Sequence, residues 1–335
     1  MNCTKDKYYE TSPFKCKFFG VIYSLLFIIG LPENIATCCY LLYNKGNKRL
    51  TEVKIYMISL TLADLMFILF LPFWVDYYHR ESDWKFGDFM CGFCGSLFYI
   101  NTYSTLCFLS LISFTRYLAV SRPVETAQSK QVVRGVILTA IIWTGTVGAS
   151  IWVLADSKKH TNEKHNATSC FEDYWSTTGK NGKDNETQKI NLLVIHSIML
   201  LVFALTLGAV IANYVLILRK LSADQSALRL SQDKLKKRAI RMVLMVLVIY
   251  ILCFLPYHLI QLPWMLLVLD IWKPFKCNFR KTFNDVHQVT LGLMSINCVL
   301  DPIVYCFLTE DFRQYLRELI NYHRNNCILR NKPKP

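Results

Sequence analysis

Asn297-Cys298-Val299-Leu300-Asp301-Pro302-Ile303-Val304-Tyr305 is the stretch whose reading decides the fold. It lies inside an apolar segment, Phe283 to Leu308, and sets an aspartate beside a proline in the middle of it. An ionisable group at membrane depth costs several kcal/mol, so it faces a bundle interior and marks function. Pro302 removes a backbone donor and loosens the helix there. Tyr305 follows Asp301 at helical spacing, so both share one face. A charge, a break and a phenol near the inner end of an apolar helix read as a moving part.

Outward from that stretch, the 335-residue chain is 53% hydrophobic, and its apolar residues sit in long blocks. Seven blocks exceed or approach the roughly 20 residues needed to cross a bilayer. They are Phe18–Tyr43, Ile55–Val75, Phe89–Phe114, Gly135–Leu154, Ile190–Leu218, Met242–Leu269 and Phe283–Leu308. Lipid tolerates no unpaired backbone, so each is expected as a helix. The fold class expected is an all-α membrane protein, a seven-transmembrane helix bundle. After Leu308, Phe312, Leu316, Leu319 and Ile320 oppose Arg313 and Arg317, which reads as a short amphipathic eighth helix on the inner surface. The division expected is 1–17 extracellular N-terminus, 18–308 bundle, and 309–335 cytoplasmic helix and tail.

Loop charge sets the orientation. With the N-terminus outside, the inner segments carry 22 of the 38 Lys+Arg and 7 of the 24 Asp+Glu, and the outer ones 16 and 14. The net charge of +14 is thus concentrated inside, as the positive-inside rule requires, and needs no nucleic acid to explain it. Three glycosylation sequons, at Asn2, Asn166 and Asn185, fall in segments already placed outside. Cys91 and Cys170 face oxidising surroundings and form a good disulfide pair. Cys277 with Cys16 or Cys3 is a second, weaker pairing. Cys327, behind the amphipathic helix, is a candidate for fatty acylation.

Polar intruders mark each span. The first has Gly30, Pro32, Glu33 and Asn34. Asn34 reads as interhelical glue. Glu33 faces a neighbour, carries a proton, or marks a kink with Pro32. The second span has Asp64, then Trp74, Tyr77 and Tyr78 at its outer end. The third carries Asn101, Thr102, Ser104, Thr105 and Ser110 at many angles, so it belongs at the centre, and it ends at Arg116. The sixth holds Pro256 and Pro263, which imply a strong bend.

Asn34, Asp64, Arg116, Trp143, Pro256 and Asp301-Pro302-x-x-Tyr305, one feature per span and in order, resemble the rhodopsin-like G-protein-coupled receptors over nearly the whole chain. Asn284–Leu291, Asn297–Phe307, Cys253–Trp264 and Phe98–Tyr103 are similar to a branch of that family with a phospholipid ligand. The resemblance implies a plasma-membrane receptor and no enzyme. Ligand binding would activate a heterotrimeric G protein and phosphatidylinositol/calcium signalling, with arrestin as a further partner. It implies a polar switch of Asp64, Asn101, Thr105, Asn297 and Asp301, with a sodium ion at Asp64 as allosteric ligand and no other cofactor. Arg116, Val124 and Tyr305 would serve G-protein coupling. The family's acid before the arginine is Thr115 here, Phe254 replaces its sixth-span tryptophan, and its fifth-span proline is missing. Lys236 stands where many relatives have an acid, so raised basal activity is expected.

The outer bundle offers a ligand set: Trp74, Phe98, Tyr99, Glu172, His196, Tyr257, His258, Gln261, Trp264, His287, Gln288 and Thr290. No Lys or Arg is expected at that level, which argues against a di- or triphosphate. A phosphocholine headgroup fits better. Its quaternary ammonium suits aromatic faces such as Trp74 or Tyr77, aided by Glu172, and its single negative charge suits histidines and amides. Another lysophospholipid or a nucleotide is the alternative. The chain has no His-Glu-x-x-His, no Gly-x-Ser-x-Gly and no phosphate loop, so enzyme readings fare poorly.

Overall fold

The computed structural model describes residues 13–43, 50–122, 130–155, 161–164, 167–170, 182–223, 230–268, 271–272 and 277–308, with 312, 314–315, 317–318 and 321 beyond them. Five continuous helices come first: α1 (Pro13–Tyr43), α2 (Glu52–His79), α3 (Gly87–Ser121), α4 (Gln131–Ala155) and α5 (Gly182–Ala223). Between α4 and α5 lies an antiparallel hairpin, β1 (Thr161–Lys164) and β2 (Ala167–Cys170), with Thr161 opposite Cys170. The sixth span is α6 (Leu230–Ile249), a π-helical turn (Tyr250–Phe254) and α7 (Leu255–Val268). The seventh is α8 (Cys277–Ser295) and α9 (Asn297–Leu308). Among the described residues, six helical stretches are long and apolar enough to cross a membrane, and the divided seventh completes the bundle.

Side-chain distribution explains the packing. Val21, Ile28, Leu205 and Leu259 are each at least 60% exposed, an apolar surface that fits lipid and not water. Polar groups point the other way: Asn34, Asp64, Asn101, Thr105, Asn297 and Asp301 are all buried. α3 packs against α2, α4, α5, α6 and α8, so the most polar span does stand at the centre. Past Leu308, Phe312 and Tyr315 are helical and pack on Tyr40, 4.8 and 5.4 Å between ring centres, while Arg317 and Glu318 face outward. At the inner rim, Arg134 Nε donates to Glu52 Oε1 at 2.9 Å, its Nη2 donates to Glu52 Oε2, and Tyr56 Oη donates to Glu52 Oε1. That pair joins α2 to α4.

Two expectations are corrected. The first helix starts at Pro13, not near Phe18, because a proline suits a helix's first turn. α1 runs unbroken through Pro32. Glu33 Oε2 is sealed from solvent with no hydrogen-bond partner among the described residues, and nothing in the structure explains it. In the seventh span the break lies at Ile296, six residues before Pro302. Ser295 Oγ donates to Leu291 O (3.1 Å) and Cys298 Sγ to Ser295 O (3.2 Å). Side chains competing for backbone acceptors bend a helix in this way.

The bend expected in the sixth span takes the form of the π turn. Pro256 cannot donate to Leu252 O, and its ring crowds that carbonyl. The turn preceding it widens, and Leu255 N donates to Tyr250 O, five residues back. Tyr250 Oη donates to Leu106 O, fastening the widened turn to α3.

Close approach of the first and seventh spans depends on glycine. A Cβ on Gly292 would lie 2.6 Å from the Phe18 ring, whereas one on Gly148 meets nothing within 4 Å. Gly292→Ala should therefore lower stability by about 1–3 kcal/mol, the usual cost of overpacking. Gly148→Ala should leave the melting temperature of detergent-solubilised protein unchanged or raised.

Candidate functional site

Two polar centres lie inside the bundle, one at mid-depth and one near its outer end. The first is built around the missing donor of Pro302. In a regular helix the amide of residue 302 would bond Cys298 O; proline has none. Asn34 Nδ2 supplies it from α1, at 2.8 Å from Cys298 O and 2.9 Å from Gly30 O. Gly30 permits this approach: a Cβ there would lie 3.0 Å from Ile68 and 3.2 Å from Val299.

From there the network crosses the bundle. Asn101 Nδ2 donates to Asp64 Oδ1 at 2.7 Å. Asn297 Nδ2 reaches Asn101 Oδ1 and Thr105 Oγ1, both at 3.4 Å. All five predicted members of this cluster are buried, and α2, α3 and the seventh span bring them together. Asp64 Oδ2, Asn297 Oδ1 and both Asp301 carboxyl oxygens have no hydrogen-bond partner among the described residues. Four buried oxygens without a partner there, three of them on the Asp64–Asp301 carboxylate pair, fit the donor set of a hard monovalent cation.

At the outer end, α7 presents Tyr257, Gln261 and Trp264 on one face, at helical spacing. His287 of α8 lies against that face, stacked on Trp264 at 4.1 Å and 5.5 Å from the Tyr257 ring. His287 is 4% exposed and Gln261 2%, yet neither ring nitrogen of the one nor either amide atom of the other has a partner among the described residues. Burying such groups unpaired is costly, and binding sites are where the cost is tolerated. His258 differs. Nδ1 lies 2.8 Å from Phe254 O, Nε2 is 3.4 Å from Tyr103 Oη, and its ring stacks on Phe203 at 4.0 Å. It is a packed wall. His196 is buried on α5, Thr290 Oγ1 donates to His287 O (2.7 Å), and Gln288, Phe98 and Tyr99 are half-buried.

Trp74 and Tyr77 belong to a closed aromatic cluster with Tyr78 and Trp84, and Tyr77 is fully buried. Tyr77 Oη accepts Cys170 N–H (3.2 Å), Trp84 N donates to Thr168 O (2.6 Å) and Asp83 Oδ1 accepts Thr168 N–H (3.0 Å). With the Cys91–Cys170 disulfide, these bonds fix the hairpin to the α2–α3 edge. The Lys85 ammonium and the Thr168 amide hold the Asp83 carboxyl below its ordinary pKa, so this anchor persists into mildly acidic solution.

Sequence reasoning missed Tyr103 and Phe203. Phe203 lies seven residues after His196 on the same helix, a spacing that signals a shared face. It also missed Lys15, whose ammonium lies 6.0 Å from the centre of the Tyr78 ring, so a cation does reach this level. Thr115 Oγ1 donates to Ile112 O at 2.8 Å, and Arg116 lies in the inner part of α3, which runs on to Ser121. Val124, Glu172, Asn2, Asn166 and Cys327 lie outside the described residues, as do the side chains of Tyr305, Asn185 and Cys277. Cys16 Sγ is 3.6 Å from Ser82 Oγ.

Seven spans, a mid-depth polar cluster under a kinked seventh span, and buried polar groups at the outer end of a bundle that carries a disulfide-tied hairpin define a membrane receptor of the seven-helix class. Residues 33–305 match the family described as 7 transmembrane receptor (rhodopsin family), and the chain belongs to it. It is a multi-pass membrane receptor that couples to G proteins and not an enzyme. Among curated relatives, it is 39% identical to the platelet-activating factor receptor of Mus musculus over 92% of this chain and 86% of that one. Identity to the platelet-activating factor receptor of Bos taurus is 38%, with the same shares covered. With cysteinyl leukotriene receptor 2 of Sus scrofa it is 32%, over 96% of this chain and 87% of that one.

Asn34→Leu removes the donor to Cys298 O and leaves that buried carbonyl unpaired. It should destabilise the receptor by about 1–3 kcal/mol, the usual cost of orphaning a buried polar group. Thermal unfolding of the purified protein checks this; an unchanged melting temperature would show that Pro302 needs no compensation.

Proposed function

We propose that this chain is a plasma-membrane receptor for platelet-activating factor, an ether phospholipid with a phosphocholine headgroup. Ligand binding would drive heterotrimeric G-protein activation and phosphatidylinositol/calcium signalling. The observation that carries the reading is identity of 36–39% to platelet-activating factor receptors across at least 92% of the chain. The amide of Gln261 and the imidazole of His287, unpartnered among the described residues, support it, since they can hold one diffuse negative charge. The N-terminus is extracellular, and arrestin is a second cytoplasmic partner.

In this reading the agonist headgroup draws α7 and α8 together around Gln261 and His287, with Trp74, Phe98, Tyr99, Glu172, His196, Tyr257, His258, Trp264, Gln288 and Thr290 as the surrounding set. The π turn lets the inner end of the sixth span swing outward while the outer end closes. Arg116, with Val124 and Tyr305, then meets the G protein. A sodium ion would be held by Asp64 and Asp301, and when bound it offsets the repulsion between their carboxylates. The chain's own part is to change the spacing of those oxygens as Asn297 and Asp301 move with α9. Agonist and cation thus favour different states, and differential affinity is the only way a ligand shifts such an equilibrium.

Calcium release in transfected cells tests the ligand. Platelet-activating factor should act at far lower concentration than lysophospholipids or nucleotides; the reverse order would transfer the assignment to another lipid or a nucleotide. Asp301→Ala should abolish most of the agonist response while cell-surface expression is retained; an unaltered response removes Asp301 from the pathway.

Thr115 leaves Arg116 without a neighbouring carboxylate on its own helix. Thr115→Asp should lower ligand-free G-protein activation by about fivefold, the low end of ordinary coupling energies. Nucleotide exchange measured without agonist decides it, and no fall at all counts against basal activity being set there.

A further inference from the structure

We infer that Lys15, Gln261 and His287 form an anion subsite between the outer ends of the first, sixth and seventh spans, and that it takes the phosphate of the ligand. This rests on the phospholipid reading above and assigns the ligand's orientation. His287 is the hub. Its ring fills the space between Tyr257 and Trp264, and Gln261 lies between those two residues on the same face of α7. The amide and imidazole are therefore neighbours, and both are buried with all four polar atoms unpartnered among the described residues.

Charge gives the sign of the missing partner. Lys15 and His196 both lie within electrostatic range of His287. The Lys15 ammonium enters over the Tyr78 ring because α1 begins at Pro13 and carries Lys15 one turn before Phe19, itself stacked on Tyr78 at 5.0 Å. Asp285 is two residues before His287 on α8, a helical step of about 200° that turns it to another face. The donors near His287 are thus an ammonium, an amide N–H and an imidazole N–H, a set that accepts a phosphate diester monoanion and repels a quaternary ammonium. The ligand's ammonium is directed away from Tyr78, whose face already carries a lysine, toward half-buried Phe98 and Tyr99 on α3.

The test uses full-length receptor in cell membranes, with Lys15→Met and Lys15→Arg at matched surface expression. The two probes are platelet-activating factor and an analogue whose phosphate diester is replaced by a neutral carbamate, with choline and tail retained. Lys15→Met should weaken the phosphate ligand by about tenfold, one charge-assisted hydrogen bond, and leave the carbamate unchanged. Lys15→Arg should stay close to the unmodified receptor. Equal loss for both ligands would mean a packing role and overturn the proposal, as would no loss for either. A second measurement does not depend on agonist identity. Hexyl phosphate should raise the melting temperature of the purified receptor and not of Lys15→Met. If the unmodified receptor ignores platelet-activating factor, the functional reading fails while hexyl phosphate still decides the subsite. Equal stabilisation of both proteins rejects it.

Discussion

A carbonyl that proline cannot serve governs much of this bundle. Cys298 O lies in the membrane interior, where an unmade hydrogen bond has no water to fall back on. Asn34 makes the bond from the first span, and three further features follow from that reach. Gly30 must be small, because the first, second and seventh spans converge there. Gly292 must be small, because the same closeness sets Phe18 against it. Asp301, one residue before the proline, is held at the level of Asp64 and Asn101 and cannot turn to lipid. The position of one amide thus fixes where the polar cluster can assemble.

The outer end of the bundle follows a different logic. Its aromatic side is rigid: Trp74, Tyr77, Tyr78 and Trp84 interlock, and Tyr77 spends its hydroxyl on the hairpin. Gln261 and His287 hold polar atoms without partners among the described residues. The hairpin is tied along the α2–α3 edge by backbone bonds and a disulfide.

Much of the architecture was legible because membrane helices must be long and apolar, so Asn34, Asp64, Asn101 and Asp301 stood out as intruders with a reason to be inside. Their convergence was legible too, since buried polar groups seek each other. The local geometry was not. Nothing in a hydropathy pattern separates a break at Ile296 from one at Pro302; that depends on whether Ser295 and Cys298 turn their side chains to the backbone. Lys15 was misjudged because a charged residue ahead of an apolar block reads as loop, although Pro13 was available as a helix start. The packing of Trp74 and Tyr77 into an aromatic cluster was not legible either, because aromatic character alone does not tell a packed ring from a waiting one.

The widened turn at Tyr250–Phe254 carries one residue more than a regular helix would. Everything beyond it, including Tyr257, Gln261 and Trp264, is rotated relative to the membrane-inner half of the same span. Seen historically, such a joint makes the two halves separately editable. Drift in the outer half can retune which lipid is preferred without turning the G-protein-facing half out of register. A lineage can then exchange ligands while keeping its signalling partner.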